Sequence, residues 1–441
     1  MTFEILRKKY SEFIYDKYEI YEDDTNLNIV YYFEIKGLCK FTPIWQIPLD
    51  IISNDSINED FFNDLVFHLG LVELISYWKC VMSKSVIINA GFLDQNQINW
   101  FEKLYYNGLG EFFYQNDIDI KIADLMDIKC TAQKKEYRVM FNGIGNLVPI
   151  GGGKDSIVSL NLLCNEDNYP FIINPKEVHI ECTKIASLNN RNVIFKRSLD
   201  KKLLELNKEG FLNGHTPFSS LVSFASLIAA YLTNKKYIVL SNEGSSNEAN
   251  VVGTSINHQY SKSYEYEKDF NNYINTYFKV NIHYFSLLRP LSEIQIAKLF
   301  SKYKKYHQIF KSCNQGSKKN PWVWCNSCAK CLFVFVILSP FLTIDELINI
   351  FGENLYDKKE LLDIFINLTG NGKHKPFECV GTYDEVCYGV SRAIDKYDNY
   401  YLLDYYQKHF KYIPENNDIL KTYNTENYLN EHFEKIIKDN I

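Results

Sequence analysis

Residues 146–156 read NLVPIGGGKDS: a short apolar strand runs without a linker into three glycines and on into a helical stretch. No other segment constrains the fold as tightly. Glycine lets the backbone take positive φ and come close to a bound anion. The helix N-terminus that follows offers N–H groups and a partial positive charge, which suit a phosphate. Lys154 adds a point charge and Ser156 a hydroxyl donor. Asp155 is the informative residue, since an acid beside phosphates is repulsive unless it holds a metal ion. The loop is neither G-x-x-x-x-G-K-[ST] nor G-x-G-x-x-G. The bland alternative is a tight strand-to-helix turn with no ligand.

From about Asn146 onward strands alternate with helices, the mark of an α/β fold with a parallel sheet and helices on both faces. Strands are expected at Asn146–Ile150, Phe171–Asn174, Val193–Lys196, Tyr237–Ser241 and Ile282–Leu287. Helices are expected at Lys154–Leu163 and Pro217–Leu232, with another opened by Ser292. Residues 1–140 read as an α+β domain, with a hairpin over Asn28–Pro48 around Lys36-Gly37. Helices follow over Phe61–Ser83 and Asp94–Phe113, the latter capped by Asp94. The expected division is 1–140, an N-terminal domain with substrate binding as its candidate role; 141–345, the phosphate-loop domain; and 346–441, a helical extension that completes the active site.

Composition narrows the function class. Charged residues make up 23% of the 441 and hydrophobic ones 46%, ordinary values for a globular chain. The net charge of −6 argues against nucleic acid as a partner, because such binding draws on Lys and Arg. The start MTFEILRKKY lacks the apolar core of a signal peptide. The longest apolar run, Leu332–Leu342, is too short to span a bilayer and contains Pro340. A cytoplasmic small-molecule enzyme with no membrane partner is the expectation.

Two further clusters carry chemistry. Residues 241–262, SNEGSSNEANVVGTSINHQYSK, follow a strand, at the end of a parallel sheet where ligands collect. Glu243 is a second candidate magnesium ligand beside Asp155. His258 and Lys262 are candidates for phosphate or carboxylate contacts, although a lone His is more often structural. Arg289 is a candidate anion clamp, with a surface salt bridge as the alternative. Cys313-x11-Cys325-x2-Cys328-x2-Cys331 supplies four soft ligands near the spacing of a zinc site. Free thiols, a Cys325/Cys328 redox pair and an Fe–S cluster are the alternatives.

The glycine loop resembles that of the pyrophosphatase-loop (N-type ATP pyrophosphatase-like) enzymes, whose motif is S-G-G-x-D-S. Gly152, Gly153, Asp155 and Ser156 match, and Gly151 stands where that family usually has Ser. The likeness implies an adenine-nucleotide α-hydrolase-like fold. It also implies ATP held by Gly151, Gly152, Gly153, Lys154, Asp155 and Ser156, with Asn174 and Glu243 as further nucleotide contacts. AMP and pyrophosphate would be released. A C-x8-C-x2-C-x2-C arrangement in 7-cyano-7-deazaguanine synthase binds structural zinc, and the first gap here is longer.

The segments GGGKDS, SNEGSSNEAN, NHQYSKSYEYE, LLRPLSE, WCNSCAKCLFVF and KPFECVGT, spread over residues 140–385, resemble the UDP-N-acetylmuramoyl-L-alanyl-L-glutamate epimerase family. That resemblance implies a UDP-N-acetylmuramoyl dipeptide substrate, ATP with Mg²⁺, and inversion of a terminal glutamate through an acyl-adenylate. Cys379 is then a candidate proton carrier, with a buried structural Cys as the alternative. A related adenylating enzyme, an amide or nitrile synthetase or an RNA modifier, is the competing expectation.

Overall fold

The computed structural model describes residues 2–133, 136–247, 260–313, 316, 323–411 and 418–441. Its frame is one sheet of eleven strands. In chain order these are β1 (Glu12–Glu22), β2 (Asn26–Ile35), β3 (Cys39–Phe41), β4 (Ile44–Pro48), β5 (Ser85–Ile88), β6 (Asp127–Cys130), β7 (Asn146–Pro149), β8 (Asn168–Ile173), β9 (Val193–Ser198), β10 (Tyr237–Leu240) and β11 (His283–Ser286). Across the sheet they run β11-β10-β7-β8-β9-β4-β2-β1-β5-β6, with β3 beside β2.

The five strands β7–β11 are all parallel. The chain starts at central β7, moves out through β8 and β9, then returns to β10 and β11 on the other side. Two neighbouring strands whose connections leave in opposite directions open a crevice at their carboxyl ends. Here that crevice lies between β7, which feeds the glycine loop, and β10, which feeds Glu243.

The first six strands are mixed. β1, β2 and β4 pair antiparallel, and β5 and β6 run parallel to β1. The expected hairpin around Gly37 is present as β2–β3. The two halves of the sheet join where β4 meets β9 antiparallel, Trp45 opposite Arg197. Buried Glu73 locks this seam. It accepts from Arg197 Nε and Nη2 at 2.8 Å each and from Trp45 Nε1 at 3.0 Å.

Two cores form on opposite faces of the parallel strands, as a period-2 pattern demands. Leu147, Phe171, Ile238 and Tyr284 point into one, while Val148, Ile172, Val239 and Phe285 point into the other. The first core is shared by residues of the 1–140 segment and the helix Phe218–Leu232. Its central element is the helix Glu59–Trp78, buried over nearly its whole length because it is apolar on every side. Gly70 lies so close to Tyr15 that a Cβ there would sit 2.1 Å from the phenol oxygen. The second core holds the helices Lys154–Leu162, Glu293–Ser301 and Ala329–Leu338 and the C-terminal helices.

The expected apolar run at Leu332–Leu342 lies largely in Ala329–Leu338, all of it buried. The helix expected over Asp94–Phe113 instead ends at Gly108 and resumes at Gly110–Gln115. Two glycines flanking Leu109 favour that break, since glycine is a poor helix former. Among the described residues no helix is long and apolar enough to cross a membrane.

Candidate functional site

The glycine loop folds as its composition demands. Gly152 has φ +74°, and a Cβ there would lie 2.9 Å from His179 Cδ2 and 3.1 Å from Val178. Gly151 has open space around it, so the position usually filled by Ser in the resembling motif accepts a side chain. Gly153 is the N-cap of the helix Lys154–Leu162, and no side chain caps that end. The Ser156 hydroxyl donates to the Gly153 carbonyl at 3.1 Å. His179 borders the loop through a backbone hydrogen bond at Gly151. Burial and then Lys176 lower its pKa to about 4, so it is neutral at physiological pH.

Behind the loop sits a buried cluster of acids and lysines drawn from six segments. Lys154, 1% exposed, pairs with both Asp155 and Glu293. Burial alone would lower the Lys154 pKa, but Asp155, Glu293 and Glu243 raise it above the usual lysine range. Burial works against the Asp155 carboxylate too, yet Lys154, Lys330 and Lys262 outweigh it and hold that pKa below the ordinary value. Glu293 is pushed the other way, to about 8, chiefly by burial. One lysine between two carboxylates cannot fully compensate both. The Glu293 N–H donates to Glu385 Oε1 at 2.7 Å, and the Thr382 N–H to Glu385 Oε2 at 2.7 Å. Burial raises the Glu385 pKa as well.

Lys262 and Cys379 meet at this cluster, the ammonium donating to the thiol sulfur at 3.1 Å. Burial would lower the Lys262 pKa, but Cys379, Glu243 and Asp155 raise it, so Lys262 stays charged. Lys330 donates to the Cys379 carbonyl. Arg289 stands behind these groups, fully buried. It pairs with Glu267 at 2.9 Å and donates to the main-chain carbonyls of Glu243 at 2.7 Å and Lys262 at 2.6 Å. Arg289, expected as an anion clamp with a surface salt bridge as the alternative, is a buried strut, because it follows β11 into the interior.

The four cysteines converge as their spacing predicts. Their sulfurs all lie within 4.8 Å of one another, with Cys313–Cys328 at 3.9 Å, Cys325–Cys331 at 3.6 Å and Cys328–Cys331 at 3.5 Å. Tetrahedral Zn–S bonds of about 2.3 Å put sulfurs roughly 3.8 Å apart, so the four thiols fit zinc. The Lys311 N–H donates to the Gly152 carbonyl at 3.0 Å and ties the Cys313 arm to the glycine loop.

Of the residues singled out from sequence, Lys154, Asp155, Ser156, Glu243, Lys262, Arg289 and Cys379 are brought together. Asn174, with φ +51°, spends its amide on the Arg197 main chain. His258 lies outside the described residues. Sequence reasoning missed His179, Glu293, Lys330 and Glu385. Glu385 carried a signal, since Thr382-x-x-Glu385 spells a capping box.

Comparison with known proteins bears on the chemistry. The model described as "MurL N-terminal domain" matches residues 4–287, and that described as "MurL C-terminal domain" matches residues 309–416. A protein of Xanthomonas oryzae pv. oryzae named UDP-N-acetyl-alpha-D-muramoyl-L-alanyl-L-glutamate epimerase is 34% identical over 323 residues, 71% of this chain and 70% of its own length. Proteins of the same name from a Micromonospora species and from Salinispora tropica are each 31% identical over 361 residues. Those matches cover 80% of this chain, with 80% and 78% of the two relatives. No solved structure matches.

Proposed function

The chain belongs to the UDP-N-acetyl-alpha-D-muramoyl-L-alanyl-L-glutamate epimerase family, and from that premise we propose that it inverts the terminal L-glutamate of the UDP-muramoyl dipeptide while splitting ATP to AMP and pyrophosphate. The observation that carries this reading is the Lys262–Cys379 contact beside the carboxylate cluster of the glycine loop. A proton carrier and an anion-binding loop at the carboxyl ends of the same parallel strands are what activation followed by proton exchange requires.

The α-proton beside a carboxylate anion is hard to remove, because deprotonation builds a second negative charge on the same carbons. Attack of the substrate carboxylate oxygen on the α-phosphorus of ATP breaks the bond to the β,γ-unit and expels pyrophosphate. The resulting acyl-adenylate lacks the carboxylate charge and accepts the carbanion's electron pair. The loop backbone from Gly151 to Ser156 binds the phosphates, and Lys154 is drawn from its carboxylate partners toward them. Asp155 and Glu243 offer the hard oxygen donors that Mg²⁺ takes. When bound, Mg²⁺ supplies positive charge to the phosphates. Cys379, as a thiolate stabilised by Lys262, takes the α-proton from one face, and a second group or water returns one from the other. Water then hydrolyses the adenylate, giving the D-glutamyl carboxylate and AMP.

Purified enzyme given the UDP-muramoyl dipeptide, ATP and Mg²⁺ tests this. AMP and pyrophosphate should appear in step with D-glutamate in the acid hydrolysate. UDP-N-acetylmuramoyl-L-Ala, which lacks the glutamate, should give little AMP. ADP as the product, or AMP without any D-glutamate, would overturn the reading.

A further inference from the structure

Lys330 sits between Cys328 and Cys331, in the first turn of the helix Ala329–Leu338. A spacer between two metal ligands in a short turn is usually an exposed residue, yet Lys330 is 6% exposed. A buried ammonium is costly unless its donors are answered. Its Nζ lies 5.0 Å from the Phe333 ring centroid and donates to the Cys379 carbonyl. Its charge also bears on Asp155 and Glu293. One side chain therefore links the cysteine centre to the Cys379 segment and carries its charge toward the acids beside the phosphate loop.

The Cys379 segment is held in part by side chains from elsewhere in the chain. Residues 373–381 form no helix or strand. Among the described main-chain bonds in it, Glu378 N–H donates to Pro376 at 2.8 Å and Val380 N–H to Glu378 at 2.9 Å, both only two residues back. Bonds that short turn a chain without anchoring it to its surroundings. Val380 is buried in the second core, and distant side chains add further anchors. Phe377 packs on Tyr114 with ring centroids 5.1 Å apart, Lys262 meets the Cys379 sulfur, and Lys330 holds the Cys379 carbonyl. Lys262 reaches the thiol and Lys330 the backbone from which that thiol projects.

We propose that Lys330 is a positioning residue: the four-cysteine turn carries it, and through the Cys379 carbonyl it sets where the thiol stands relative to the carboxylate–lysine cluster. The inference rests on the epimerase reading above. It assigns the cysteine centre a second consequence besides local stability, namely the geometry of the proton-transfer step. A misplacement of about 1 Å at a reacting group costs on the order of 10²-fold in rate. Adenylation depends on the glycine loop, which the Lys311–Gly152 bond ties to the other arm of the centre, so it should suffer less.

The test uses the full-length chain with Lys330→Met and, in case methionine prevents folding, Lys330→Gln, whose shorter side chain keeps a polar end without the charge. Each is assayed with the UDP-muramoyl dipeptide, ATP and Mg²⁺ in D₂O, beside zinc per chain and the thermal midpoint. The expected result is zinc content as in the wild type and a ratio of α-deuterium to AMP lowered about 10-fold or more. Lys330→Arg, which restores a charged donor, should recover part of that ratio. An unchanged ratio in every folded variant would overturn the proposal. Zinc loss together with proportional loss of AMP and deuterium would make Lys330 a purely structural lysine and would overturn it too. The wild type separates the two claims: no deuterium there sinks the epimerase reading, whereas wild-type exchange with an unshifted variant ratio sinks only the role of Lys330.

Discussion

The glycine loop and the Cys379 cluster lie against each other, yet they are built by different rules. The loop is contiguous: residues 151–156 make one turn from strand to helix, and within it only Gly152 demands glycine. The cluster is assembled. Lys262 and Cys379 are 117 residues apart, and Lys154 and Glu293 are 139 apart. A contiguous site survives most distant changes, while an assembled one depends on every element that delivers a side chain. On the proposed reading, phosphate binding and proton transfer should be separable by mutation.

The sharpest break comes at Cys379. If it carries the proton, Cys379→Ala should cut α-deuterium incorporation by about 10²- to 10⁴-fold, the span typical of general acid–base catalysis. AMP formation should fall less. Equal loss of both, measured by mass spectrometry and AMP assay, would return Cys379 to a structural role. On the loop side, Asp155→Ala should lower AMP formation by about 10²-fold and deuterium in proportion, since nothing is adenylated. Retained turnover in that variant would remove Asp155 from the phosphate site.

Stability sharpens the contrast further. Gly152→Ala should cost about 1–2 kcal/mol from the left-handed backbone, with added strain against His179. Gly151→Ala should be close to neutral. Denaturant titration of the two variants checks this, and equal midpoints would mean that the loop does not hold its positive φ.

The smallest effect concerns pH. The Glu293 pKa is raised to about 8 in the folded chain, so between the ordinary carboxyl value and about 8 the folded state binds more protons than the unfolded one. Stability contributed by this group therefore falls as pH rises through that window. Glu293→Gln, which cannot ionise, should show a shallower fall between pH 5.5 and 8.5. A steeper fall in the variant would contradict the sign.

What could be read from sequence follows the same divide. Glycines, a strand and a helix start are local, so the loop and the five parallel strands were legible within a residue or two at most boundaries. The four cysteines were legible because their spacing is itself a ligand pattern. Glu293 was hidden because an acid in the first turn of a helix is already explained by the helix start, and the capping box marks Glu385 as a helix-start residue without announcing its bond to Glu293. Lys330 falls in the x2 of Cys328-x2-Cys331, where the ligand pattern leaves the residue type open. Arg289 was legible as an ion-pair partner but not as a buried one, since burial there depends on Glu267 and on two carbonyls from separate loops. The joining of β4 to β9 pairs residues 150 or more positions apart, which no local pattern announces.

The central claim is that adenylation at the loop enables proton exchange at the cluster. Wild-type enzyme incubated in D₂O with the UDP-muramoyl dipeptide, ATP and Mg²⁺ tests it most directly. D-glutamate carrying deuterium at its α-carbon is expected, formed together with AMP and absent when ATP is withheld. AMP accumulating while the glutamate stays L and free of α-deuterium would contradict it, and would point to a synthetase acting on the same activated carboxylate.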